Sequence, residues 1–303
     1  MKTAAPHLFT LTCNLLAERT LTFATWARGK TQRATGETFQ VGGKGINVSK
    51  MANRLGISNT ALCFTGGAPG AECETWLRAQ RISFRAFGTD HPTRTGTVVR
   101  SDTQPETTFL GPDVPPSAAA VAACSEFLDA QPDGQLLAIC GSVPGWTSAG
   151  FDPLRAALER WLQRGLLAAD TYGPPLEWFA QRPLALVKIN ATELRTLITD
   201  RVSASLRDVL TAAPARWPVQ RWVVTDGPAA VWFCDRRHPP ACLKPPLVRE
   251  ISPTGSGDVL HASLLKSLFF EKLPLADAVT RALPLASANA AHPGIAEFSL
   301  DGK

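Results

Sequence analysis

The second half of the chain repeats one unit: a short apolar run, a turn, then a helical pattern. QLLAICGSVP (135–144) ends in Gly and Pro, and FDPLRAALERWLQRG (151–165) follows with apolar residues at helical spacing and a glycine stop. GLLAADTYG, LALVKINATELRTLI and QRWVVTDGPAAVWF continue the scheme. Apolar runs without alternation need cover on both faces, which a mostly parallel sheet between helices supplies. In such sheets ligands bind beyond the carboxyl ends of the strands. The polar residues at those ends are Ser142, Asp170, Lys188, Asn190, Thr225 and Asp226. Taken singly, each is as well explained as a helix cap or a turn residue.

The first third has another pattern. TLTFATWARGKTQRATGETFQVGG and TRTGTVVRSDTQPETTFLG are rich in Thr, Val and Phe in rough alternation, with polar turns. This predicts half-exposed antiparallel strands in a small sheet projecting from the core. Between them KGINVSKMANRLGI (44–57) reads as a helix with a Gly56 C-cap. At 303 residues the chain is expected to form one large α/β domain with this appendage. No apolar run is long enough to cross a bilayer, and no N-terminal signal pattern is present, so the expectation is a soluble cytoplasmic protein. The net charge of +5 comes without a Lys/Arg block, which disfavours nucleic acid and suits a small anionic ligand. The seven cysteines contain no C-x-x-C pair and are expected to be buried, reduced thiols.

Two glycine clusters carry chemistry. Gly42, Gly43 and Gly45 in VGGKGINVSKMANRLG stand at a helix start, where a ligand can approach the backbone and unpaired N–H groups are on offer. Gly255, Ser256 and Gly257 in SPTGSGDVLHASLL can curl their N–H groups into an anion nest, with Asp258 in the first helical turn. Asp258 fits two roles equally well on spacing alone. It can cap the helix, or it can take a proton from a hydroxyl attacking a phosphoryl group held in the nest.

Taken in order, VGGKGINVSKMANRLG, CGSVPG, VKINATEL, VVTDG and SPTGSGD resemble the ribokinase-like (PfkB) carbohydrate kinases, and within them the phosphofructokinase and tagatose-6-phosphate kinase group. The resemblance implies a three-layer α/β/α core, a β-sheet lid built from about 14–41 and 92–112, ATP with Mg²⁺, and γ-phosphoryl transfer to a sugar hydroxyl. It makes Asp258 the general base and Gly255, Ser256 and Gly257 the anion hole. It assigns Gly42, Gly43, Asn47 and Ser142 to the sugar. Lys188, Asn190, Thr225, Asp226 and Gly227 fall to ATP, and Glu193 to Mg²⁺ through water. Asn289 and His292 lie in the segment that flanks the adenine. Backbone carbonyls around Ser252 and Pro253 bind a monovalent cation in some relatives, which adds K⁺ as a candidate.

The resemblance also matches Arg94 and Lys30 to cations that hold an acceptor's phosphate, a pairing that suits a phosphorylated sugar. The departures lie on the acceptor side. Glu18 stands where the group has Asp, Gly96 where it often has Asn, and Leu15 where it has Pro. The reading is therefore a sugar or sugar-phosphate kinase, with a catalytically degenerate sensor and a nucleoside kinase as the alternatives. Exposed lid strands and the family both imply a homodimer joined through the lid.

Overall fold

A computed structural model describes residues 6–198 and 204–300. In chain order it contains β1 (Leu8–Thr12), β2 (Leu16–Phe23), β3 (Gly36–Gly42), α1 (Lys44–Arg54), β4 (Asn59–Thr65), α2 (Gly67–Ala79), β5 (Phe84–Gly88), β6 (Arg94–Ser101) and β7 (Thr107–Leu110). There follow α3 (Ala118–Asp129), β8 (Leu136–Cys140), α4 (Asp152–Arg164), β9 (Leu166–Asp170), α5 (Pro174–Ala180), β10 (Leu186–Asn190) and α6 (Ala191–Thr196). The last elements are α7 (Leu206–Arg216), β11 (Arg221–Asp226), β12 (Ala230–Asp235), β13 (Ala241–Leu243), α8 (Ser256–Leu265) and α9 (Leu275–Ala290).

Nine strands form the main sheet in the order β13-β12-β11-β10-β9-β8-β1-β4-β5. From β11 to β5 every neighbouring pair is parallel. The side chains of β8 show why its apolar run has no gaps. Leu137 and Ile139 enter the core under α3, α4, α5 and α7, while Leu136, Ala138 and Cys140 enter the core under α1, α8 and α9. Alternate residues point to opposite faces, and both faces are covered. α4 ends at Gly165, which must be glycine because a Cβ there would sit 2.8 Å from both Gln135 O and Trp161 Nε1.

Two expectations are corrected. QRWVVTDGPAAVWF is not a strand, a turn and a helix. Gly227 turns β11 straight into the antiparallel β12, with Asp226 paired to Ala230, and β13 extends this antiparallel edge. The Asp-Gly dipeptide is the hairpin signal that outweighs the apolar run after it. The second sheet, in the order β3-β2-β6-β7, is also not wholly antiparallel, because β2 and β6 run parallel. The segment between β3 and β6, with α1, β4, α2 and β5, passes through the main body and returns the chain to the same end of the small sheet. Among the cysteines, Cys242 on β13 is exposed, whereas the other six are buried and free as expected.

Candidate active site

The carboxyl ends of β8, β9 and β10 meet the N-termini of α1 and α8, and there the charged residues collect. Asp170 closes β9 with no exposed surface. Its Oδ1 accepts from Lys44 Nζ and its Oδ2 from Lys188 Nζ, each at 2.7 Å. Lys44 Nζ also lies 3.6 Å from Glu193 Oε1. Burial alone would raise the Asp170 carboxyl, but Lys188 and Lys44 overcome it and hold the group well below the usual carboxylate range. Burial would likewise lower Lys44, and the charges of Asp170, Glu193 and Asp258 drive it well above its ordinary value.

Asp258, only 5% exposed, accepts a hydrogen bond of 2.7 Å from Asn47 Nδ2. Burial first, and then the negative charge of Asp170, push its carboxyl up to about 6, against the pull of Lys188, Lys44 and Asn47. One turn further along α8, His261 is fully buried, and neither ring nitrogen has a hydrogen-bond partner. Burial lowers it to about 4, so it stands as a neutral imidazole behind the acid–base cluster.

The glycine turn before Asp258 is built to hold its shape. Gly255 has φ +78°, and a Cβ there would overlap Ile295, so Gly is required on both backbone and steric grounds. Asn289 braces the turn. Its Nδ2 donates to Thr254 O at 3.0 Å and Ser256 Oγ at 3.1 Å, and its Oδ1 accepts from Ala296 N at 2.8 Å. Asn289 has no exposed surface, and its amide group is engaged within the turn. His292 is likewise taken up locally, its Nδ1 accepting from Gly294 N at 2.9 Å. The expected three-amide nest is reduced, because Ser256 N donates to Pro253 O at 3.2 Å. The Gly257 amide makes no hydrogen bond to another described residue. A Cβ on Gly257 would lie 2.7 Å from Lys188 Nζ, so the ammonium packs against the backbone of Gly257.

The glycines before α1 have a structural job. Gly43 has φ +124°, and a Cβ there would lie 2.6 Å from Thr12 Cγ2, so α1 can start against the end of β1 only with glycine. Across the small sheet Leu16 pairs with both Gly42 and Arg94. Glu18 is buried, accepts from Gln40 Nε2, and points its Oε2 at Gly42, where a Cβ would be 3.4 Å away. Burial, as the largest cause, raises the Glu18 carboxyl. Gly96 pairs with Glu18, and a Cβ on it would crowd Leu16 Cδ1 at 3.0 Å, so packing accounts for this departure. Ser142 Oγ accepts from Asn14 Nδ2 at 2.8 Å, and the same amide reaches Asp113 Oδ1 at 2.8 Å. Asp113 Oδ1 in turn accepts from Arg94 Nη1 at 2.7 Å.

Lys30 is not brought to Arg94 within one chain. Arg94 is level with Leu16, whereas Lys30 is exposed in the β2–β3 connection beyond Phe23. Seven residues at about 3.3 Å each put the two ends of β2 roughly 23 Å apart.

Between the end of β11 and the start of α8 a cleft of about 280 Å³ is lined by Thr225, Gly227, Pro246, Leu247, Gly257 and Leu260, among others. Asp226 is exposed at the end of β11. Asn190 and Glu193 form a reciprocal cap for α6, with Glu193 N to Asn190 Oδ1 and Asn190 N to Glu193 Oε2 both at 2.8 Å. The helix-cap explanation thus holds for both residues, and it leaves Glu193 Oε1 turned toward Lys44. Among the described residues no group of three or more His, Cys, Asp and Glu side chains could hold a metal ion. No helix among them is long and apolar enough to cross a membrane.

The site therefore contains residues the motifs did not single out: Lys44, Asn14, Gln40, Asp113 and His261. Lys44 had a signal, since a cation in the first turn of a helix opposes the helix dipole and calls for a buried partner. Asp170 stood in the row of strand ends but nothing local distinguished it as the hub.

The model of the pfkB family carbohydrate kinases matches residues 11–301. The ATP-dependent 6-phosphofructokinase isozyme 2 of Escherichia coli (strain K12) is 26% identical over 274 residues, covering 86% of this chain and 85% of that one. A 1-phosphofructokinase of Bacillus subtilis (strain 168) is 26% identical over 188 residues, 62% of this chain and 61% of the relative's length. The crystal structure of phosphofructokinase-2 from Escherichia coli in complex with potassium superposes with a TM-score of 0.88 at 23% identity, covering 98% of this chain and 96% of that one. Motifs, sheet order and the match over nearly the whole length agree, and the chain belongs to the pfkB family of carbohydrate kinases.

Proposed function

We propose that the protein transfers the γ-phosphoryl group of ATP to a hydroxyl of a sugar or sugar phosphate, with Asp258 as the general base. The observation that carries this is the setting of Asp258. It is a buried carboxylate with a raised pKa, hydrogen-bonded to Asn47 of α1 and one residue from a free glycine amide beside Lys188. A base that titrates near 6 is ionised at neutral pH yet keeps enough basicity to draw a proton from an attacking hydroxyl. The Gly257 amide and the Lys188 ammonium face the place where charge grows on the transferred group, and the buried setting strengthens both. Asp170 fixes Lys188 and Lys44 so that neither has to reorganise during the reaction.

The acceptor would lie between the small sheet and the start of α1, within reach of Glu18, Asn47, Ser142 and Asn14. The small sheet, whose strands lie within residues 16–42 and 94–110, then works as the lid of a single kinase domain. The apolar cleft beside Thr225 and Gly227 suits the adenine. With no cage of carboxylates among the described residues, Mg²⁺ would be held by phosphate oxygens and water with Glu193 behind them, which is its usual manner of binding. It would neutralise charge on the phosphates. Ser252 Oγ, buried without a hydrogen-bond partner, is an oxygen that fits the K⁺ position implied by the family. Phe109 and Leu110, exposed on the edge strand β7, fit lid-to-lid pairing of two chains. ATP as donor accords with a cytoplasmic protein.

ADP release over a panel of sugars and sugar phosphates tests the reading. Transfer to one class with ATP supports it, and ligand-induced stabilisation without ADP release from any of them refutes it.

A further inference from the structure

The far end of the small sheet is tied to the two loops that shape the turn before Asp258. Glu18 pairs with Gly96 and Thr22 with Arg100, so Glu18 and Arg100 lie on the same face of the sheet. Arg100 Nη2 donates to Pro293 O at 2.8 Å, and its Nε donates to Glu106 Oε2 at 2.6 Å. The other oxygen of Glu106 accepts from Thr254 Oγ1 at 3.3 Å. Pro293 stands two residues before Ile295, and Thr254 one residue before Gly255. Ile295 and Gly255 are the pair whose contact leaves no room for a Cβ. The sheet thus holds both segments of that contact, next to Ser256, Gly257 and Asp258. Arg100 and Glu106 keep 31% and 19% of their side chains exposed, so the tie is partly shielded from water.

Thr254 is held from two directions. Asn289 of α9 binds its carbonyl, and Glu106 of the small sheet binds its hydroxyl. A turn released on one side gains freedom, and misplacing a catalytic group by about 1 Å can cost on the order of 100-fold in rate. We propose that Glu106 is a positioning residue for phosphoryl transfer: it reaches from the lid to Thr254 and, with Arg100, fixes the Gly255–Asp258 turn in its reactive shape while the lid is seated. Glu106 acts through the turn and does not touch the reacting atoms. This rests on the reading of Asp258 as the base of a kinase, and it names the element that ties that base to the lid.

The experiment compares Glu106→Ala, Glu106→Gln, Thr254→Val and Thr254→Ser with the native protein, by steady-state kinetics over the panel of sugars and sugar phosphates, calorimetric ATP binding and amide exchange. Glu106→Ala and Thr254→Val should each lower kcat by about 5- to 30-fold, the worth of one partly exposed hydrogen bond to a charged group, while ATP binding and the acceptor KM change little. The double variant Glu106→Ala with Thr254→Val should be no slower than Glu106→Ala alone, because both changes remove the same bond. Thr254→Ser keeps the hydroxyl and should restore kcat. The charges of Glu106 and Arg100 both reach the Glu18 carboxyl, so Glu106→Gln, which keeps an oxygen for Thr254, separates the tie from the charge and should retain most of kcat. Exchange of the amides from Thr254 to Val259 should quicken in Glu106→Ala. A kcat close to native in Glu106→Ala overturns the proposal, as do losses that add in the double variant. A fall in melting temperature without a fall in kcat also refutes it, since that is the mark of a merely structural tie. If no acceptor releases ADP in the native protein, the kinase reading fails. The tie then stands if exchange from Thr254 to Val259 quickens in both Glu106→Ala and Thr254→Val, and falls if it does not.

Discussion

Asp170→Asn is the most informative change to the buried cluster. The carboxylate has no exposed surface and sits 2.7 Å from two ammonium groups. The amide leaves Lys44 and Lys188 buried with one negative charge fewer, and breaking a buried ion pair from one side costs about 3–5 kcal/mol. At roughly 2 °C per kcal/mol for a chain of this size, the melting temperature should fall by about 6–10 °C. The pH dependence is more diagnostic. Asp170 is held below its unfolded value of about 4, so its stabilisation is present above that pH and is lost as pH falls. Asp258 runs the other way. Its folded value of about 6 exceeds the unfolded one, so its contribution is complete below about pH 4 and is lost as pH rises through 6. Asp170→Asn should therefore flatten the acid limb of the stability curve. It should also move the acid limb of kcat/KM to lower pH, because the charge that helps raise Asp258 has gone. Thermal unfolding across pH 3–8 and a coupled ADP assay measure both. A melting point within 2 °C of the native protein, with an unshifted kcat/KM limb, would refute the electrostatic linkage between Asp170 and Asp258.

Further outcomes follow from the same geometry. Gly255→Ala should cost about 1–2 kcal/mol for the left-handed backbone and a further 1–3 kcal/mol for overlap with Ile295. In denaturant unfolding, the double variant with Ile295→Ala should then be less destabilised than the sum of the single changes. Asn289→Ala strips three hydrogen bonds from the turn before Asp258. It should lower stability by about 1–3 kcal/mol and reduce kcat with little change in the acceptor KM, which steady-state kinetics will show. Lys44→Met should lower kcat/KM and shift its acid limb to higher pH, because a positive charge that favours ionised Asp258 is removed. An acid limb that stays in place or moves down would count against it.

The sequence made the layers legible where local pattern and tertiary demand agree. The runs at β8, β9 and β10 are apolar without a break because both faces are covered, and their ends present Ser142, Asp170, Lys188 and Asn190 where a ligand site is expected. The pattern failed at β11–β12, where an apolar segment after Asp-Gly could equally be a buried helix or a hairpin strand. It also failed for the parallel pairing of β2 and β6, which depends on a crossover of some seventy residues and leaves no local trace. In the site, the motif residues Asp258, Asn47 and Lys188 do converge. The charge state of Asp258, however, depends on Asp170 and Lys44, which are 126 residues apart in sequence. Asp113 was hidden for the same reason. Its segment reads as a proline-rich connection, and only folding places it between Arg94 and Asn14.

The central claim is that Asp258 removes the acceptor's proton. Asp258→Asn, an uncharged side chain of nearly the same shape, should keep ATP binding by calorimetry within a few-fold of the native protein. The coupled ADP assay on the best acceptor should show kcat reduced by about 10²–10⁴-fold, the usual worth of a general base. Turnover within a few-fold of native in this variant, with the fold intact, would contradict the claim.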